Sequence, residues 1–131
     1  MFISDLPKLQ SLSFNHSFKC YNKLDIGSVI NLQSILIEDR CFNGEMDILQ
    51  LLSLQSLQNC TIRDKCFKYC DIVSIANNQH LSSLSITNDC FSKKDGTIII
   101  EGNSELKSIS LKDHVCCFYQ LELDSKLLKR F

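Results

Sequence analysis

Residues 32–42 read Leu-Gln-Ser-Ile-Leu-Ile-Glu-Asp-Arg-Cys-Phe, and the fold is decided by how often that stretch returns. Its first six residues have counterparts at 9–14 (LQSLSF), 57–62 (LQNCTI), 81–86 (LSSLSI) and 106–111 (LKSISL). Successive copies start 23, 25, 24 and 25 residues apart. Positions one, four and six of each copy are apolar. They are Leu9, Leu12 and Phe14; Leu32, Ile35 and Ile37; Leu57, Cys60 and Ile62; Leu81, Leu84 and Ile86; Leu106, Ile109 and Leu111. The last three positions alternate inward and outward, as a half-buried strand requires. One such strand cannot bury its own apolar face, but a stack of them can. The spacing therefore predicts five short strands lying in register as a parallel sheet.

Two further recurrences lie downstream. A Phe follows each of the first four segments at Phe18, Phe42, Phe67 and Phe91, and Cys116 takes that place in the fifth, with Phe118 two residues on. One ring per coil reads as an aromatic spine. After it come Leu24/Ile26, Ile48 with Leu52, Val73/Ile75, Ile98/Ile100 and Leu121/Leu123. The pairs spaced two apart predict short strands on the opposite side. The Ile48–Leu52 pair, four apart within MDILQLLSL, fits a helical turn better.

The pattern L-x-S-L-x-I at this period resembles the leucine-rich repeat superfamily, whose repeats run to roughly 20–29 residues. The resemblance extends from Leu6 to about Leu123. Among its subtypes, Ile37–Phe42, Ile62–Phe67 and Ile86–Phe91 look like the I-G-x-x-A-F element of BspA-like repeats, and Phe67–Cys70 fits its F-x-x-C continuation. The Gly after Ile and the usual Pro after the strand are lacking. Cysteine-containing repeats of F-box adaptors are the second choice. The resemblance implies a mostly β solenoid of about five coils, with a parallel sheet on one face and short strands, turns or short helical pieces on the other. Residues 1–131 are expected to form one such domain, complete or part of a longer array.

Composition narrows the function classes. The formal net charge is −1, with no Trp and no cluster of arginines. No field draws the chain to nucleic acid or an anionic membrane. No run approaches the ~20 apolar residues of a membrane span. The opening MFISDLPKLQ has no basic region followed by an apolar run, so a cytoplasmic location is expected.

The eight cysteines admit several readings. Cys41, Cys66, Cys90 and Cys116 recur at nearly one place per coil, with Ser17 there in the first. Buried structural thiols, each filling a corner and touching a backbone carbonyl, are the first reading. Disulfides between coils about 4.8 Å apart are the second. A metal half-site at Cys66/Cys70 or at His114, Cys116 and Cys117 is the third, without the paired C-x-x-C spacing of a closed zinc site. His16, His80 and His114 read as solvated turn residues. No G-x-S-x-G, Walker or G-x-G-x-x-G motif occurs. No catalytic residue, metal or cofactor is expected.

What remains is a binding surface. Outward strand positions give a polar column: Gln10, Ser13, Gln33, Leu36, Gln58, Thr61, Ser83, Ser85, Lys107 and Ser110. These are the candidate contacts for a protein partner. At the strand exits Asp39, Asp64, Asn88 and Asp113 form a candidate charged edge. Two alternatives accompany this reading. One is end-to-end self-association through uncapped ends. The other is a ligand-binding part of a secreted or cell-surface protein, suggested by the sequons Asn15-His16-Ser17 and Asn59-Cys60-Thr61.

Overall fold

A computed structural model describes residues 1–15, 21–27, 29–113 and 120–123, the last four and Met46 by their backbone alone. Eleven strands follow one another: β1 Phe2–Ile3, β2 Ser11–Phe14, β3 Lys23–Ile26, β4 Ser34–Ile37, β5 Glu45–Leu52, β6 Asn59–Ile62, β7 Tyr69–Ala76, β8 Ser83–Ile86, β9 Thr97–Glu101, β10 Ser108–Leu111 and β11 Gln120–Leu123. Even-numbered strands form a five-stranded sheet in the order β10-β8-β6-β4-β2. Odd-numbered strands form a six-stranded sheet in the order β1-β3-β5-β7-β9-β11. Every neighbouring pair is parallel. The chain alternates between the sheets and so winds a β-solenoid. Among the described residues there is no helix.

The register follows the repeat. Leu12, Ile35, Cys60, Leu84 and Ile109 are partners in turn across the even sheet, as are Phe14, Ile37, Ile62, Ile86 and Leu111. A one-residue slip would turn the apolar column outward, which is why the alternation fixes the pairing. The leading leucines lie just ahead of the strands. Leu32, Leu57, Leu81 and Leu106 are each fully buried and close a short turn, their N–H groups donating to the carbonyls of Val29, Leu54, Asn78 and Asn103. Each such side chain removed from water stabilises the stack by roughly 1.5–3 kcal/mol.

The odd sheet corrects one expectation. The stretch at 45–52 is a strand, and Leu24 and Ile26 pair with Leu49 and Leu51 rather than with Ile48 and Leu52. Leu49 and Leu51 are buried between the sheets, whereas Ile48 and Leu52 flank them on the outer side. The helical spacing of Ile48 and Leu52 arose because this strand carries apolar residues on both faces. Strand pairing to both neighbours then overrides a four-residue spacing too short to build a helix.

The two corners of the coil differ. After each of β4, β6 and β8 the chain turns through a pair of left-handed residues, Arg40 and Phe42, Lys65 and Phe67, Asp89 and Phe91. A bulky residue at positive φ is unfavourable on its own. Here it brings rings into contact: Phe42 stacks on Phe67 at 5.0 Å and Phe67 on Phe91 at 5.5 Å. Phe14, the last inward residue of β2, meets Phe42 edge-on at 5.2 Å. The expected spine thus includes Phe14, while Phe18, Cys116 and Phe118 lie outside the described residues. Beside the rings, the thiols of Cys41, Cys66 and Cys90 donate to the carbonyls of Phe14, Glu38 and Arg63 one coil back.

The corner after the odd strands uses amides. Asn78 is fully buried, donating to the Leu51 carbonyl at 2.9 Å while its Oδ1 accepts the Leu54 N–H at 2.9 Å. Asn103 repeats this one coil on, with the Ile75 carbonyl at 2.8 Å and the Asn78 N–H at 3.0 Å. Left-handed residues Ser53, Asn77 and Gly102 precede Leu54, Asn78 and Asn103. A Cβ at Gly102 would meet Asn77 Oδ1 at 2.2 Å, so glycine keeps the two corners close.

Candidate functional site

The even sheet carries the surface on which the binding reading rests. Its outward residues fall into columns because the strands are short and in register. Ser11, Ser34, Asn59, Ser83 and Ser108 are partners across the sheet, and so are Ser13, Leu36, Thr61, Ser85 and Ser110. A third column precedes the strands, joined by backbone bonds from Gln33 to Gln10, Gln58 to Gln33, Ser82 to Gln58 and Lys107 to Ser82. Gln10, Ser13, Gln33, Gln58 and Lys107 are exposed; Leu36, Thr61, Ser83, Ser85 and Ser110 are half-buried. All ten candidate contacts therefore line one side of the molecule, together with Ser11, Ser34, Asn59, Ser82 and Ser108.

Chemically, the surface offers hydroxyl and amide groups on short side chains, with one aliphatic residue, Leu36. It can donate and accept hydrogen bonds over several coils. It lacks the Tyr, Trp and Arg that anchor most tight interfaces. A partner would have to rely on spread polar contacts and shape.

The charged edge is only partly assembled. Asp64 accepts a bond from the Thr87 hydroxyl, one from the Asn88 N–H at 3.0 Å and one from the Asn88 side-chain amide at 3.4 Å. The Thr87 bond chiefly, with those from Asn88, holds its carboxyl below the ordinary value. Asp64 and Asn88 therefore meet, and the carboxylate is engaged in joining coils. Asp39 and Asp113 are exposed and lie at the corresponding places in their own coils. Arg63 pairs with Glu38 at 2.8 Å across neighbouring coils. Exposed pairs of this kind add little to stability.

Cys41, Cys60, Cys66, Cys70 and Cys90 are all buried. Burial pushes the Cys60 and Cys70 thiols up to about 12. Cys66 is also pushed up, first by its hydrogen bond with Cys90 and then by burial. At neutral pH such thiols are protonated, and a protonated thiol is a poor nucleophile and a poor ligand. Cys66 and Cys70 each donate to a different carbonyl, those of Glu38 and Ile72. Among the described residues no group of three or more His, Cys, Asp or Glu is arranged to hold a metal ion. His80 lies 3.3 Å from Glu105 at an exposed turn. His16, His114 and Cys117 lie outside the described residues, as does most of the sequon at 15–17. In the second sequon Asn59 is exposed on β6 beside a buried Cys60.

Two features of the fold do not follow from the repeat. One is the pair of buried amides, Asn78 and Asn103. Their signal was present as an Asn three residues past Ile75 and Ile100, but Val29 and Leu54 hold the same place in earlier coils. The other is the outer face of the odd sheet, where Tyr69 and Ile72 are each 42% exposed. Assigning Val73 and Ile75 inward already implied that Ile72 faces out.

No family model, no curated protein and no solved structure matches the chain.

Proposed function

We propose that this protein is a non-catalytic interaction module that takes a protein partner on the outer face of its even-numbered sheet. One observation carries the reading: five strands in register place small polar side chains in continuous columns on one solvent-facing side. The inward residues build the solenoid, and among the described residues the outward side chains make few hydrogen bonds. The leucine-rich repeat assignment, with a BspA-like subtype, is supported by the L-x-S-L-x-I period and the I-x-x-x-C-F element. On that assignment the thiols of Cys41, Cys66 and Cys90 form a cysteine ladder that belongs to the scaffold. Substituting Gln33, Leu36 and Gln58 tests the site. Partner binding is lost while cooperative unfolding is retained; a variant that unfolds instead places these residues in the core.

A second reading is end-to-end assembly. It is favoured by Leu111, 41% exposed where its register partner Ile86 is fully buried. Light scattering over a concentration series separates the two, since a monomer at all concentrations rules assembly out.

A further inference from the structure

The corner that opens into β5 holds a pair of residues that the fold leaves free to react with each other. Asn43 follows the left-handed Phe42 and precedes Gly44, the one Asn-Gly pair in the chain. Both are half-buried and lie outside the strands, between the aromatic corner and Glu45. The Asn43 Oδ1 is buried and accepts no hydrogen bond, and among the described residues the side-chain amide donates none. The Gly44 N–H likewise donates to no carbonyl among the described residues. Other asparagines are held. Asn78 and Asn103 each span a carbonyl and an N–H, and Asn88 donates to Asp64. Each of those three is also followed by a residue with a side chain, Gln79, Ser104 and Asp89.

An asparagine carries its own electrophile next to a backbone nucleophile. Rotation of the Asn43 side chain brings Cγ to the Gly44 nitrogen, so the reacting atoms are positioned by the chain itself. Glycine has no Cβ to crowd that nitrogen. The Gly44 nitrogen loses its proton and bonds to Cγ, the Cγ–Nδ2 bond breaks, and Nδ2 leaves as ammonia. Water then opens the cyclic imide. Cleavage of the new N–Cγ bond gives aspartate, and cleavage of the bond from nitrogen to the Asn43 main-chain carbonyl gives isoaspartate. Nothing is oxidised or reduced. Burial of Oδ1 does not hinder a step internal to two residues, and their half-exposure admits the water for the second.

We propose that Asn43-Gly44 is a site of spontaneous deamidation in the folded protein, with water as co-reactant, and that conversion loosens the coil it closes. Isoaspartate routes the main chain through Cβ and so lengthens it between Phe42 and Glu45, whose partners are Phe67 and Tyr69. Either product places a carboxylate where Oδ1 had no donor, an unfavourable site for a charge. The reaction is independent of the binding face on the even sheet, so either reading can fail without the other.

The test incubates the full chain in neutral and mildly alkaline buffer, native and in concentrated urea, and maps peptides for aspartate and isoaspartate. In the native protein Asn43 converts ahead of Asn78, Asn88 and Asn103, with isoaspartate among the products and ammonia released in step. The rate rises with pH, because the attacking nitrogen must lose its proton. It lies within about tenfold of the rate in urea, since no hydrogen bond has to break first. Gly44→Ala slows conversion by about tenfold or more and retains cooperative unfolding, because Gly44 is not at positive φ and its backbone accepts alanine. The converted protein, separated by its added charge, unfolds at a lower denaturant concentration than the parent. Protection of Asn43 in the native chain by more than about a hundredfold over urea overturns the proposal. So does conversion of Asn78, Asn88 or Asn103 as fast as that of Asn43, and so does an unchanged unfolding midpoint in the converted protein. The comparison with urea requires no variant and decides the matter even where Gly44→Ala fails to fold.

Discussion

The two corners of each coil solve one problem with different chemistry. Where the chain leaves an even strand, aromatic rings stack and thiols reach back to the carbonyls of the coil before. Where it leaves an odd strand, buried asparagines do the reaching, each spanning a carbonyl and an N–H of its neighbour. Both corners place residues at positive φ. A buried backbone group in a turn must find a partner somewhere, and the strands supply none there. The first corner relies mostly on apolar contact and adds weak sulfur bonds. The second relies on two stronger bonds per amide, and only from the third coil onward.

This difference can be broken or sharpened by substitution. The largest effect is expected at Phe67, which stacks on rings above and below. Phe67→Ala costs about 3–5 kcal/mol in denaturant unfolding, because the cavity opens in the middle of the spine. Asn78→Leu comes next. It leaves the Leu54 N–H and the Leu51 carbonyl without their side-chain partner, for a loss of about 2–4 kcal/mol. A loss below about 0.5 kcal/mol would show that the amide corner is held by something else. Cys66→Ala removes a single weak donor and a small buried volume, and its expected cost is about 1–2 kcal/mol.

The smallest effect is a pH dependence. Asp64 has a folded-state pKa below its unfolded value. Its contribution to stability is therefore present above the unfolded pKa and is lost as pH falls through the folded one. Asp64→Asn should lower thermal stability somewhat in the neutral region and flatten the acid side of the profile, so that variant and parent converge below about pH 4. An identical acid limb in the variant would mean that the bonds to Thr87 and Asn88 carry no differential energy.

The two corners were also unequally legible. Cys-Phe recurs at Cys41-Phe42, Cys66-Phe67 and Cys90-Phe91, so a period of 24–25 residues exposes it directly. The amide corner is written as Val29, Leu54, Asn78 and Asn103, a column that changes from apolar to polar partway. Periodicity analysis weights constant character, and such a column has none. The odd strands were blurred for a related reason. In β5 the run Ile48-Leu49-Gln50-Leu51-Leu52 has apolar residues on both faces, so alternation could not tell in from out. Pairing with Leu24 and Ile26 decides it, and that is tertiary information. The even strands were clear because their outward positions are nearly all Ser, Thr or Asn. That same regularity put the candidate contacts in register across the sheet, and it left their partner unspecified, since small hydroxyls suit many surfaces.

The division between an inward scaffold and an outward face free for a partner is tested most directly by thermal unfolding of the variant Gln33→Ala, Leu36→Ser, Gln58→Ala. The expected result is a single cooperative transition, with no more than about 0.5 kcal/mol lost per substitution. Loss of the cooperative transition would contradict it, because residues on a free face cannot be what holds the coils together.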